Sequence, residues 1–337
     1  MNFNRTIIKA KCLADIKTIR LKSPDKSINC DHVSQCAGYS PPHIVDAALI
    51  AASYQYTMSK IVLWKSFMKI SKVVFPVGGL GKRFFPITRA IPKEMLGIID
   101  KPLIHYAFEE AVAAGIEEFI FVTRHGKDSI EDYFDYMFSH SEYFDIKIGS
   151  VCYVRQNEPR GLGHAVLCAK NLIGNESFAV MSADDFIFHS ESCLGEMIKF
   201  YDGSNMVASM NVAPNDVDKY GILDVDYETD RLVVAKSVDE KPSMETAKST
   251  NAIVGRYLLS HEIFEVLEEL KPGIGGEIQL TDALLGMIPS HGLTGFKFEG
   301  KRFDCGSKEG LLSAILHVAD QNEKLHHIIA DFYGSKK

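Results

Sequence analysis

The chain lacks any run of about eighteen or more apolar residues, so the sequence offers no segment able to span a membrane as a helix. It also lacks a C-x-x-C pair. Its seven cysteines, Cys12, Cys30, Cys36, Cys152, Cys168, Cys193 and Cys305, are odd in number and scattered. That argues against a disulfide scaffold or a cysteine zinc site and points to a reducing cytoplasm. There is no excess of positive charge. The net charge of −7 removes any bulk electrostatic case for nucleic acid or an anionic membrane surface as partner. Internal repeats and low-complexity tracts are missing too.

What is present is an ordinary globular composition, 46% hydrophobic and 24% charged over 337 residues, enough for a large core. Charge is unevenly spread. Residues 1–70 hold 10 Lys and Arg against 4 Asp and Glu, whereas residues 71–337 hold 27 against 40. The basic segment shows little apolar periodicity before "IVDAALIAASY". Asp15, Asp25 and Asp31, with no apolar stretch ending in a cleavage site, oppose a targeting reading. The expectation is an N-terminal extension over 1–67, disordered, weakly helical or outside the native start, since Met68 opens "MKISKVVFPVGG". Residues 68–337 then form the folded domain.

From Lys72 onward the pattern alternates. "KVVFPV" reads as a buried parallel strand ended by glycine. "PLIHYAFEEAVAAG" puts Ile104, Phe108, Ala111 and Val112 on one helical stripe that Gly115 stops. "EEFIFVT" is a strand, "DSIEDYFDYMF" a helix, "IKIGSVCYVRQ" a strand and "GHAVLCAKNLI" a helix. "SFAVMSADD" reads as a strand ending in carboxylates. Farther on, "GILDVD" and "RLVVAKSV" suggest a β-hairpin and "AIVGRYLLS" a strand. Helices are expected near 260–270, 279–288 and 307–320. This α/β alternation predicts a Rossmann-like, doubly wound, mostly parallel sheet. Ligands in such sheets sit beyond the carboxyl ends of the strands, where the glycine-rich loop and "ADD" both leave.

"FPVGGLGKRFFP" (75–86) matches neither common phosphate loop. A Walker loop would need glycine where Pro76 stands and a hydroxyl residue where Arg83 stands. A dinucleotide fingerprint would need glycine at Phe84, and Pro86 and Pro92 obstruct the helix that should follow. What remains is a strand, glycines that expose backbone N–H groups to anionic oxygens, and the cations Arg83 and Lys93. Taken alone, the loop also fits a tight turn with solvated basic residues.

"FPVGGLGKRFFPITRAIPKEMLGIIDKPLI" resembles the start of bacterial UTP–glucose-1-phosphate uridylyltransferases (UDP-glucose pyrophosphorylases), members of the sugar-1-phosphate nucleotidyltransferases. The resemblance continues, in order, through "VRQNEPRGLGHAVLCA", "VDEKP", "NAIVGRYLLS", "GGEIQLTDAL" and "DCGSKEG", so it covers about 70–337. It implies a nucleotidyltransferase, GT-A-like fold with an added β-rich sugar-binding portion. The implied reaction joins UTP and glucose 1-phosphate to give UDP-glucose and pyrophosphate, with Mg2+ as cofactor. A homo-oligomer, dimer or tetramer, is implied as well.

By the same resemblance Asp184 and Asp304 hold the metal, Arg83 serves the leaving phosphates, Lys93 the reacting phosphates and Lys241 the sugar phosphate. Leu80, Gly81, Gln156 and Gly161 face the nucleotide. Asp185, Gly221, Glu240 and Gly255 face the sugar, with support of the metal shell as the alternative role for Asp185. Taken alone, the carboxylates also fit capping or turn roles and the lysines solvated surface charges. His164 is assigned no chemistry. Two departures stand out: Lys82 replaces a family threonine, and "SADD" replaces the usual Pro-Asp or Gly-Asp approach. Two rival readings are a relative using dTTP or galactose 1-phosphate, and a non-catalytic nucleotide-sugar sensor. The sensor is disfavoured because Arg83, Lys93, Asp184 and Lys241 are all retained.

Overall fold

The apolar run "KVVFP" forms strand β1 (Lys72–Pro76), and its alternating side chains feed two different cores. Val73 and Phe75 join one buried cluster, and Val74 joins the other. The computed structural model describes residues 69–139 and 149–334. The expected extension over 1–67 and residues 146–148 of the expected third strand lie outside them.

After β1 the chain makes three short 3-10 turns, Lys82–Phe84, Ile87–Arg89 and Lys93–Met95. A small antiparallel pair follows, β2 (Gly97–Ile98) with β3 (Lys101–Pro102). Helix α1 (Leu103–Ala113), β4 (Glu118–Thr123), α2 (Asp128–Ser139) and β5 (Ser150–Arg155) come next. The expected helix at 163–173 is divided at Ala169 into α3 (Leu162–Cys168) and α4 (Lys170–Ile173).

β6 (Phe178–Met181) stays in the large sheet, but the strand expected to continue through "SADD" breaks there. Ser182 N donates to Gly255 O at 2.9 Å and Asp185 N to Ser182 O at 3.3 Å, which turns the chain away. β7 (Asp185–Phe188) therefore leaves for a separate sheet. Asp184 sits in the turn rather than on the strand.

The remaining elements are α5 (Cys193–Phe200), β8 (Asn205–Asn211), β9 (Gly221–Glu228), β10 (Leu232–Glu240), β11 (Asn251–Leu259), α6 (Ile263–Glu269), α7 (Leu280–His291), β12 (Leu293–Lys297), β13 (Lys301–Asp304), α8 (Lys308–Gln321) and α9 (His326–Gly334). The nine-stranded sheet runs β5-β4-β1-β6-β11-β8-β12-β10-β9. Its first four strands are parallel, as a doubly wound sheet requires. Antiparallel pairs enter with β11 and with the β9–β10 hairpin, the β-rich part.

Helices cover both faces. Ile104, Phe108, Phe134 and Met197 pack on the Phe75 and Phe121 side, where those two rings stack at 5.0 Å. Val166, Phe264, Leu284 and Met287 pack on the Val74 and Ile120 side. A third cluster, with Phe84, Ile98, Phe186 and Phe303, ties the β7–β13 pair to α8. Among the described residues no helix is long and apolar enough to cross a membrane.

Candidate active site

β1 delivers the chain into its glycine loop at the carboxyl edge of the parallel strands, where this sheet architecture binds ligands. Gly81 adopts φ +61, a conformation L side chains rarely take, and Thr88 Oγ1 donates to its carbonyl at 2.7 Å. Across from the loop stand Gln156, just past β5 and only 4% exposed, and Gly161 at the start of α3. Gly161 is pressed onto the 277–278 segment: a Cβ there would lie 2.7 Å from Ile278 O. Leu80, Gly81, Lys93, Gln156, Gly161 and Asp184 all line one open cleft of about 480 Å³. Four expected nucleotide contacts thus share a cleft with one expected cation and one expected metal ligand. Lys82, the departure from the family threonine, lines it too.

The carboxylates converge at one corner. β7 and β13 pair antiparallel with Asp185 opposite Asp304, and Cys305 N donates to Asp184 O at 2.8 Å. Gly306 fills the gap with hydrogen alone. A Cβ there would meet Asp184 Oδ2 at 2.8 Å, Asp304 Oδ1 at 3.0 Å and Arg83 Nη2 at 3.5 Å. Arg83, Asp184 and Asp304 are therefore brought together, although of the three only Asp184 lines the cleft.

Lys93 Nζ donates to Asp184 Oδ2 at 2.5 Å. Burial raises the Asp184 carboxyl, but the charge and bond of Lys93, helped by Arg83, outweigh it and hold the pKa below the usual range. Burial lowers Lys93, and the carboxylates of Asp184 and Glu94 more than reverse that, so it stays a cation. Glu94 is itself buried, pushed up by burial against the pull of Lys93 and Lys127, and Lys127 Nζ donates to its Oε2 at 2.5 Å.

Asp185 stands apart. It does not line the cleft but a second cavity of about 270 Å³ beside Arg256. Gly255 N donates to its Oδ2 at 2.8 Å, and Arg302 Nε donates to its Oδ1 at 2.6 Å. Burial raises its pKa above the usual range despite Arg302, and the neighbouring Asp184 adds to the rise. Asp185 and Gly255, read from sequence as sugar contacts, are hydrogen-bonded to each other. A Cβ on Gly255 would strike Ser182 Cβ at 2.5 Å, so that glycine serves packing.

Gly221, Glu240 and Lys241 do gather, at the start of β9 and the end of β10. Lys241 N donates to Tyr220 O at 3.0 Å, and Lys241 Nζ lies 3.0 Å from Glu240 Oε1. Thr281 Oγ1 donates to Glu240 Oε2 at 2.8 Å and lies 3.1 Å from where a Gly221 Cβ would stand.

Sequence reasoning missed four supports: Thr281, Lys127, Arg302 and Arg256. Arg302 Nη1 donates to Tyr220 Oη at 2.7 Å, linking Asp185 to the Gly221 and Lys241 group. Arg256, 1% exposed, forks onto Glu110 and donates to Ser182 O and Asp185 O, holding the carboxylate turn from behind. Arg302 stands two residues before the "DCG" aspartate, and Arg256 follows Gly255 inside a quoted block. Their position beside motif residues was the only available signal.

The nucleotidyl transferase family model matches residues 72–321. UTP–glucose-1-phosphate uridylyltransferase of Pseudomonas aeruginosa is 43% identical over 263 residues, 73% of this chain and 94% of the relative. The enzyme of that name from Bacillus subtilis is 41% identical over 280 residues, 78% of this chain and 96% of the relative. A solved UDP-glucose pyrophosphorylase in complex with UDP-glucose superposes with a TM-score of 0.70 at 43% identity, covering 75% of this chain and 100% of the other. A UTP-bound enzyme from Acinetobacter baumannii gives 0.70 at 36% identity, covering 80% of this chain and 100% of the other. The chain belongs to the nucleotidyl transferase family, in its UTP–glucose-1-phosphate uridylyltransferase branch.

Proposed function

We propose that this chain transfers UMP from UTP to glucose 1-phosphate, giving UDP-glucose and pyrophosphate. The observation that carries the reading is the single cleft shared by the glycine loop, Gln156, Gly161, Lys93 and Asp184. A phosphate oxygen of the sugar forms a bond to the α-phosphorus of UTP, and the bond from that phosphorus to the bridging oxygen breaks. The nucleophile is already anionic near neutral pH, so the protein's task is to bring two anions together and stabilise leaving charge. Lys93 meets the reacting phosphates, Arg83 the departing pyrophosphate, and Lys241 the sugar phosphate. Gln156 and the backbone near Leu80, Gly81 and Gly161 read the uracil edge, while Glu240 and the backbone of Gly221 receive sugar hydroxyls.

The donor set fits a hard divalent cation. Asp184 and Asp304 are oxygen ligands whose carboxylates both border the space that a Cβ on Gly306 would fill. Mg2+ keeps water and substrate phosphate in its shell, so two protein carboxylates are enough to bind it. Asp184 and Asp304 would hold it, and when bound it would neutralise phosphate charge. We place the enzyme in the cytoplasm as a homo-oligomer. Exposed Leu312, Leu316 and Ile328 on α8 and α9 support self-association.

The test is pyrophosphate release by the purified chain with a panel of nucleoside triphosphates and sugar 1-phosphates, with and without magnesium. Release with UTP and glucose 1-phosphate above all other pairs is expected. No release with any pair would instead indicate a nucleotide-sugar sensor.

A further inference from the structure

His164 touches the base-reading amide rather than the reacting groups. Gln156 Nε2 stands 3.2 Å from Gly161 O and 3.0 Å from His164 Nδ1. A carbonyl oxygen only accepts, so the amide nitrogen donates there, and its second N–H meets Nδ1 as a lone pair. An Nδ1 that accepts this bond carries no proton, and burial and then the charge of Arg160, which lower the pKa, favour that neutral ring. Its proton therefore sits on Nε2.

Arg160 Nη2, 3.3 Å from Nε2, favours the opposite tautomer. That tautomer would put a proton on Nδ1, turn the amide and set Gln156 Oε1 against Gly161 O, acceptor facing acceptor. Gly161 cannot retreat. Ile278 N donates to Arg160 O at 2.8 Å and Gly163 N to Ile278 O at 2.9 Å, clamping the segment. Arg160 is half exposed and has Glu158 Oε2 at 3.6 Å to turn toward. Gly161 O therefore sets the tautomer, and His164 Nδ1 then holds the second N–H, so the two acceptors fix the amide together.

With the amide nitrogen held twice, the oxygen is left for the cleft. Gln156 Oε1 faces Gly78, where a Cβ would stand only 2.8 Å away, and both residues line the cleft. We infer that His164 is a positioning residue for base choice, holding Gln156 so that an acceptor meets the nucleobase. An acceptor suits the ring N–H at uracil N3 and opposes the bare N3 of cytosine. A Gln amide free to turn would serve either base. The inference rests on the proposed reading of Gln156 as a nucleobase contact.

The test compares kcat/KM for UTP and CTP, each with glucose 1-phosphate, in the unaltered chain, His164→Ala, His164→Leu and His164→Gln. In His164→Ala or His164→Leu, whichever folds, preference for UTP over CTP falls about tenfold, the scale of one hydrogen bond. His164→Gln, whose carbonyl can still accept, recovers most of it. A merely structural role would lower both substrates in parallel. An unchanged UTP-to-CTP ratio in both variants, with the unaltered chain active on UTP, overturns the positioning role and leaves the proposed function standing. An unaltered chain inactive on every triphosphate overturns the function beneath it.

Discussion

Lys93 Nζ and Asp184 Oδ2, 2.5 Å apart, join the loop after β1 to the turn after β6. With side chains 19% and 24% exposed, they form a sheltered ion pair bordering the cleft. Each partner has another to go to under the proposed function: phosphate for Lys93 and a divalent cation for Asp184. Lys93→Ala and Asp184→Asn are each expected to lower kcat/KM by about a hundredfold or more, the scale of losing one charge-stabilising group. Steady-state kinetics on folded variants checks this, and near-normal turnover in Asp184→Asn would remove it from the metal role.

Gly306 makes a second prediction. Adding a methyl there drives it between Asp184 Oδ2 and Asp304 Oδ1. Gly306→Ala is expected to raise the magnesium concentration for half-maximal activity by about ten- to a hundredfold, the range seen when a metal site's supports are disturbed. Activity titrated against magnesium measures it. An unshifted titration in a folded variant would mean that the cation binds elsewhere.

The pair also sets an acid limit on stability. The folded pKa of Asp184 lies below its ordinary value of 3.8, so the native state binds this proton less readily than the unfolded chain does. Its stabilisation is complete above about pH 4 and is lost as pH falls through the folded pKa. Urea unfolding of the unaltered chain and Asp184→Asn, followed from about pH 6 to about pH 2, should show their difference shrinking toward the acid end. A constant difference across that range contradicts the account.

Arg302 bridges Asp185 and Tyr220 from a largely buried position, 8% exposed. Arg302→Met leaves the Asp185 carboxylate without its cation and is expected to cost about 3–5 kcal/mol in urea unfolding. In whatever folds, KM for glucose 1-phosphate should rise more than KM for UTP, because Tyr220 O accepts from Lys241 N. Equal changes in both would separate Arg302 from the sugar side.

Much of this site was readable before the fold was known. Val73, Val74 and Phe75 announce a strand buried on both faces, and the glycines that end it mark a loop at the sheet's carboxyl edge. Gln156 and Gly161 were singled out only through the family resemblance of "VRQNEPRGLGHAVLCA". The carboxylate pair was only half legible. Asp184 and Asp185 are adjacent and chemically alike, yet Asp184 lies in the turn facing the cleft and Asp185 begins β7 facing the other cavity. A sequence cannot say where a strand breaks when the break depends on Gly255 O, 73 residues away. Likewise β13 is four residues long and acquires its meaning only by pairing with β7. Arg256 and Arg302 look like surface cations until the tertiary structure buries them against Glu110 and Asp185.

The most direct test of the central claim is chromatographic detection of UDP-glucose after incubating the purified chain with UTP, glucose 1-phosphate and magnesium. UDP-glucose should form together with pyrophosphate and should fail to form when the divalent cation is chelated. Absence of UDP-glucose with all components present, from a folded chain, would contradict the account.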